Sequence, residues 1–203
     1  MKLYNSVGPN PKVVRMFMAE RGVEIEKQEV DLMAGENRQE EYMAGNPGGT
    51  LPALQLDDGT VLAEITAICE YLEEKEGPST LIGTTAEERA ETRMWSRRID
   101  LNILENLANG FRFSAGLGLF KDRIHTIPQA ADDLKALAQE RITWLDGLMD
   151  GKQFVCGERF SLADILLFSF MEFGESVGQP INQDNTNICA WYERVKGRPS
   201  AAA

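Results

Sequence analysis

Histidine is almost missing from this chain of 203 residues. With His125 alone, neither a Ser/His/Asp triad nor a multi-histidine metal site finds support, and no metal is expected. Cysteine is scarce too. Cys69, Cys156 and Cys189 are odd in number and far apart, with no CxxC and no zinc-ligand spacing. They read as small buried hydrophobes of a reducing compartment, which points to a cytoplasmic protein. Long apolar runs are absent: none approaches the roughly 20 residues that cross a bilayer, so a membrane role would need a partner. The start, Met1 to Pro9, has neither the apolar stretch of a signal peptide nor the Arg/Ser bias of a transit peptide, and the mature protein is expected to begin there. Positive charge is in deficit, with 21 Lys and Arg against 32 Asp and Glu and a formal net charge of -11. A long polyphosphate is repelled by such a field, so nucleic acid is not an expected partner. A small anion is not excluded, because helix N-termini and one or two arginines can build a local positive site.

What is present is an ordinary globular composition, 43% hydrophobic and 26% charged. The length allows one large core or two small ones, since domains hold about 100 to 150 residues. Lys2 to Tyr4 is a short apolar start, broken by Gly8-Pro9-Asn10-Pro11. Val13, Val14, Phe17 and Met18 then repeat at helical spacing up to Gly22, which suits a left-handed C-cap. Asn10 before Pro11 predicts the helix start, with Asn10 as the N-cap. Glu26 to Leu32 reads as a second strand, parallel to the first, and a small polar helix follows around Arg38 to Ala44. Beyond the loop Asn46-Pro47-Gly48-Gly49, two short strands flank Asp58-Gly59, a hairpin signal of the type I′ kind. Ile65, Ile68, Cys69 and Leu72 mark a helix that ends at Gly77-Pro78.

After Thr85 every segment has helical period and none alternates like a strand. Ala86 to Phe113 and Gln129 to Met149 read as long helices, Ser161-Leu-Ala-Asp164 as a capping box opening a third, and Ile188, Trp191, Tyr192 and Val195 as the face of a last one. The division expected is a βαβ-ββα domain over residues 1–77, a linker over 78–85 and an all-helical domain over 86–203.

This order of elements resembles the cytosolic glutathione transferase superfamily, bacterial-type members included, over nearly the whole chain. Asn46-Pro-Gly-Gly-Thr-Leu-Pro-Ala-Leu54 looks like the family's loop in which the proline is cis and the preceding residue offers its backbone to the cysteinyl unit of glutathione. Leu62-Ala-Glu-Ile-Thr-Ala-Ile-Cys-Glu-Tyr-Leu72 looks like the family's "L-x-E-S-x-A-I-x-x-Y-L" segment, with Glu64 at the γ-glutamyl anchor and Ile65 where the family carries serine. Phe160 to Asp164 and Trp191 to Ser200 are similar to further family motifs. The resemblance implies an α/β thioredoxin-like domain that binds glutathione as co-substrate, followed by an all-α domain that shapes a pocket for a small hydrophobic electrophile. It also implies a homodimer.

Such enzymes lower the pKa of the glutathione thiol, because the thiolate is the nucleophile. Bringing a thiol from about 8.5 to about 6.5 takes roughly 2.7 kcal/mol. A helix N-terminus supplies roughly 0.3 to 1 kcal/mol and a hydrogen bond to a charged group roughly 1.5 to 3, so donors must act together. The family's usual Tyr or Cys is absent from the loop before the first helix, which leaves Asn10, Ser6, or backbone amides alone. Glutathione-binding residues implied are Arg38, Gln39, Thr50, Leu51, Pro52, Glu64 and Ile65. For the second substrate, Phe111, Arg112 and Phe113 form the most aromatic unplaced stretch, although such a stripe is more often core. Two activities are open: conjugation to an electrophile, and glutathione-dependent reduction of a peroxide or disulfide. Opposite both stands a glutathione-binding or protein-interaction module with little turnover, favoured by the missing donor and by Ile65.

Overall fold

The computed structural model describes residues 1–203 in two compact units, Met1–Pro78 with Pro199–Ala203, and Ser79–Arg198. The tail after Arg198 therefore groups with the first unit and not with the helices that precede it.

The first unit runs β1 (Lys2–Asn5), α1 (Pro9–Arg21), β2 (Glu26–Glu29), a 3-10 turn (Glu36–Arg38), α2 (Glu40–Gly45), β3 (Ala53–Gln55), β4 (Val61–Leu62) and α3 (Ile65–Glu76). Its four strands form one sheet in the order β2-β1-β3-β4. β1 is parallel to β2, whereas β3 runs antiparallel to both β1 and β4. Leu3 and Leu54 are register partners, both fully buried, and form the core with Val14 and Phe17 of α1 and Ile68 and Leu72 of α3. The other face of the sheet carries Tyr4, Gln28 and Gln55, as period-2 alternation requires. Arg21 of α1 lies 3.2 Å from the buried carboxylate of Glu73 on α3 and donates to the Gly77 carbonyl at 2.6 Å. Glu20 receives the Ser200 hydroxyl, which fastens the tail to α1.

Three local readings are corrected. Helix α1 begins at Pro9 with Gly8 as N-cap, so Asn10 stands second in the helix and caps nothing. Both prolines fit there because the N–H groups of a helix's first turn have no intrahelical acceptor to lose. β2 stops at Glu29, since the Asp31 side chain accepts from the N–H groups of Met33 and Ala34 and turns the chain. In the β3–β4 hairpin only Gly59 has positive φ, so the turn is not type I′.

The second unit contains α4 (Ala86–Ile99), a π segment (Asp100–Leu104), α5 (Glu105–Arg112), α6 (Leu117–Phe120), α7 (Ala131–Leu148), α8 (Leu162–Ser176) and α9 (Thr186–Lys196). The single helix expected over 86–113 is thus broken by a π bulge. Asn102 and Asn106 donate there to the carbonyls of Arg98 and Asn102, competing with the helix ladder. Helix α8 is buried from Leu162 to Met171, with Asp164 and Ser169 the only polar residues of that run. Its N-terminus rests on Asp164, whose carboxylate accepts from Ser161 N at 2.9 Å and Ser161 Oγ at 3.0 Å. It also accepts from Val155 N and Trp191 Nε1, both at 2.9 Å. Removing it strands three buried donors at once, since Ser161 Oγ alone has a second acceptor, Cys156 Sγ at 3.5 Å. Asp164→Ala is therefore expected to destabilise the protein by about 3 kcal/mol or more in urea unfolding; a loss under about 1 kcal/mol would show that water replaces the carboxylate.

Candidate functional site

The register of the sheet gathers the candidate residues. β1 pairs with β3 up to Tyr4 opposite Ala53, so Asn5 at the end of β1 and the Leu51-Pro52 loop that leads into β3 lie at the same end of the sheet. β3 pairs with β4 through Leu54 opposite Leu62, so Glu64, two residues past β4, follows at that same end. The start of α1, the Leu51-Pro52 loop and the start of α3 thus meet at one edge of the sheet. The Leu51-Pro52 peptide is cis, as the family resemblance implies.

The two helix starts differ as anion sites. In α3 the N–H groups of Ile65, Thr66 and Ala67 precede the first closed helical bond, Ile68 N to Glu64 O at 3.0 Å. Three uncommitted donors at the positive end of a helix dipole suit a carboxylate. Glu64 just before them is exposed and is the one non-glycine residue with positive φ, 70°, a conformation that costs on the order of 1–3 kcal/mol. An exposed carboxylate there suits an ammonium. In α1 the first and third residues are prolines and Lys12 N already bonds Gly8 O at 3.3 Å, so Asn10 has the only free backbone N–H of that turn. The start of α1 is the poorer in backbone donors.

Ser6 and Asn10 are placed differently. Ser6 is buried and donates its hydroxyl to the Val30 carbonyl at 2.7 Å, so its single proton is committed. The Asn10 side chain is half-buried, and its amide makes no hydrogen bond within the protein. Beneath the loop, Arg15 donates to Asn5 Oδ1 at 2.9 Å and to the Ser6 carbonyl at 3.2 Å, while Asn5 donates to Glu29 at 2.6 Å. Burial lowers the Arg15 pKa and the nearby Glu29 opposes that, so a cation stays under the loop that precedes α1.

The Asn46–Leu54 loop is held from α2. Thr50 is exposed, but its carbonyl accepts from Tyr42 Oη at 2.7 Å and Asn46 Nδ2 at 2.8 Å. Asn37 donates to the Gly49 carbonyl at 2.6 Å. Gly49 has φ of +57°, and a Cβ there would meet the Asn37 carbonyl at 2.9 Å and Arg38 Nη1 at 3.2 Å. Arg38 therefore lies against this loop. Gln39 instead lines a polar cavity of about 490 Å³ under α2, together with Tyr4, Gln28, Tyr42 and Gln55. In the helical unit Phe113 is buried, and Phe111 packs edge-on against Phe120 at 6.2 Å and Phe173 at 5.1 Å. Arg112 sits 5.7 Å over the Phe120 ring. Asn5, Arg15, Asn37, Tyr42 and Asn46 escaped sequence reasoning, since an amide or arginine that serves another residue's backbone has no pattern of its own.

None of the cysteines offers a protein thiolate: burial pushes the thiols of Cys69, Cys156 and Cys189 upward, although Cys189 is only half-buried where full burial was expected.

A thioredoxin-like sheet with a cis-proline loop between two helix starts, and a separate all-helical unit after it, define the cytosolic glutathione transferase class. Residues 7–75 match the family model described as Glutathione S-transferase, N-terminal domain, and residues 112–199 match Glutathione S-transferase, C-terminal domain. Glutathione S-transferase 2 of Saccharomyces cerevisiae is 31% identical over 208 residues, covering 98% of this chain and 87% of that one. GstA of Escherichia coli is 29% identical over 203 residues, with 98% and 94% covered. Among solved structures, Gtt2 from Saccharomyces cerevisiae superposes with a TM-score of 0.93 at 30% identity, covering 100% of this chain and 99% of that one. A glutathione S-transferase domain-containing protein from Marinobacter aquaeolei gives 0.92 at 34% identity, with 98% and 99% covered. The chain belongs to the glutathione S-transferase family.

If Asn10 is the side-chain donor to the thiolate, Asn10→Ala raises the pKa of bound glutathione and lowers turnover more than affinity, because the lost bond acts on the charge and not on the peptide frame. The pH profile of kcat/KM measures this. A shift with Ser6→Ala and none with Asn10→Ala would reverse the two assignments.

Proposed function

We infer that the chain is a glutathione transferase that uses the thiolate of glutathione against a small electrophilic or peroxidic substrate. The observation that carries this reading is that β1 and β4, both paired to β3, lead into α1 with its uncommitted Asn10 amide and into Glu64 before three free N–H groups of α3, while β3 follows directly on the cis Leu51-Pro52 bond. The γ-glutamyl end is assigned to Glu64, Ile65 and Thr66, the cysteinyl backbone to Leu51, the thiol to Asn10, and the glycyl end to Arg38 and Thr50, whereas Gln39, expected beside them, lines the cavity under α2. Phe111, Arg112 and Phe113 are assigned to the second-substrate side; of these, the half-buried Phe111 and Arg112 are the ones a hydrophobic electrophile can reach. Three unpaired cysteines suit a cytoplasmic protein.

The commitment of Ser6 favours a second reading, a binding module in which one amide is too little to ionise the thiol. Turnover of a chromogenic aryl halide and of an organic hydroperoxide with glutathione separates the two. Conversion of either supports the enzyme. Binding of glutathione without conversion of both makes the chain a module.

Ile65→Ser tests the γ-glutamyl assignment. A hydroxyl added at the first position of α3 contributes one hydrogen bond to a carboxylate that already faces backbone N–H groups, so glutathione binding is expected to tighten by up to about tenfold. Lost apolar burial of the half-buried Ile65 acts on stability instead, by up to about 2 kcal/mol. Calorimetric titration reads the first and ligand-free melting the second. A folded variant that binds no better would remove Ile65, and Glu64 with it, from the site.

A homodimer is also proposed. Met94 on α4, Leu101 on the π segment, and Trp144 and Leu148 one turn apart on α7 are 39–49% exposed, an apolar set that a second copy would cover. Light scattering at micromolar concentration is expected to give twice the chain mass of 22.6 kDa, and a monomer would count against it.

A further inference from the structure

The hydrogen bonds that end on the Asn46–Leu54 loop bear on a donor that no side chain touches. In a trans peptide unit the C=O and the N–H point in opposite directions. The Thr50 carbonyl and the Leu51 N–H belong to one such unit, the trans bond just before the cis one. Two donors fill the Thr50 oxygen, Tyr42 Oη at 2.7 Å and Asn46 Nδ2 at 2.8 Å, and Asn46 also donates to Tyr42 Oη at 3.4 Å. Tyr42 is steadied by Tyr4, edge-on at 5.5 Å, and Asn46 is 5% exposed. Burial pushes the Tyr42 phenol above its ordinary value, which keeps the donor protonated through neutral and mildly alkaline pH. With the carbonyl held toward α2, the Leu51 N–H is turned the other way, and it makes no hydrogen bond within the protein.

We propose that Tyr42 and Asn46 are positioning residues for glutathione: by holding the Thr50 carbonyl they orient the Thr50–Leu51 peptide so that the Leu51 N–H meets the cysteinyl backbone of the co-substrate. This rests on the glutathione reading of the site. Without the two bonds the peptide plane rocks between pointing its N–H outward and pointing it along the loop, and part of the binding free energy goes into fixing it. The loop stays in place through Asn37 on the Gly49 carbonyl, so the effect falls on orientation and not on folding. Because Thr50 is exposed, a water molecule can satisfy its oxygen chemically when a donor is lost, but it cannot fix its direction.

The test compares Tyr42→Phe, the double variant Tyr42→Phe/Asn46→Ala, and Gln28→Ala, a control that lines the same cavity without touching the loop. Glutathione dissociation constants are read by calorimetric titration, KM and kcat by initial rates, and the pKa of the bound thiol from the pH profile. The expected result is about threefold weaker binding for Tyr42→Phe and about ten- to thirtyfold for the double variant. The KM for glutathione should rise in step, kcat stay within about twofold, the bound thiol keep its pKa, and Gln28→Ala behave as wild type. A residue that served folding alone would lower the melting temperature and the active fraction but leave the dissociation constant of the folded protein unmoved. Unchanged affinity in Tyr42→Phe, or a fall in kcat at constant KM, overturns the proposal; Tyr42→Phe keeps the ring against Tyr4 and decides the matter if the double variant unfolds. Failure of the wild-type protein itself to bind glutathione would instead overturn the site reading on which the proposal stands.

Discussion

Leu3, Leu54 and Leu62 lie in one row across β1, β3 and β4, and that row is the constraint from which the site follows. Leu3 and Leu54 are wholly buried under α1 and α3, so neither strand can slip by one residue without turning a leucine to the polar face. The pairing is short, yet it fixes which backbone atoms stand at the sheet edge. Leu51, Pro52 and Glu64 are where they are because Leu54 and Leu62 are where they are. Apolar packing and the chemistry of the edge are thus one problem, solved by one register.

At that edge the molecule treats its two helix starts unequally. α3 offers a run of backbone N–H groups and needs no side-chain hydroxyl to receive an anion, which accounts for an isoleucine at Ile65. α1 has given up two N–H groups to Pro9 and Pro11, in exchange for a rigid first turn. What α1 retains is concentrated in Asn10, which has a backbone N–H and a side-chain amide on one residue, with the Arg15 guanidinium behind the loop. A carboxylate is always ionised at neutral pH and needs only a partner, whereas a thiol must be persuaded to ionise. In the proposed orientation of glutathione the weaker of the two helix ends faces the more demanding group, and side chains have to make up the difference.

Most of this was legible in the residues. Periodicity located nearly every helix, and the turn signals at Gly8-Pro9, Pro47-Gly48 and Asp58-Gly59 separated the strands, because local steric preference dominates there. Glu64 and the Leu51-Pro52 loop came from motif resemblance, as no physical rule makes one X-Pro bond cis over another. Misreadings arose where two local signals competed. Asn10-Pro11 and Gly8-Pro9 are both good helix starts, and the earlier one prevails. Residues 86–113 have helical period throughout, and a π bulge barely disturbs that period. The loop's supporting side chains stayed hidden for a different reason: Tyr42 and Asn46 act on a carbonyl that is separated from them by a turn, and that distance closes only in the fold.

Gly48 and Gly49 look interchangeable on paper, two small residues in a flexible loop. A Cβ at Gly48 would find its nearest neighbour, Asn46 Oδ1, at 3.6 Å, an ordinary contact. At Gly49 it would run into the Asn37 carbonyl and the stem of Arg38, on a backbone already in the left-handed region. Sequence drift, or a library built to retune this loop, thus has one free coordinate and one frozen one. Diversity at 48 can be had without touching the edge, whereas any side chain at 49 presses on Arg38 and Asn37 first and reaches the peptide before Leu51 through them.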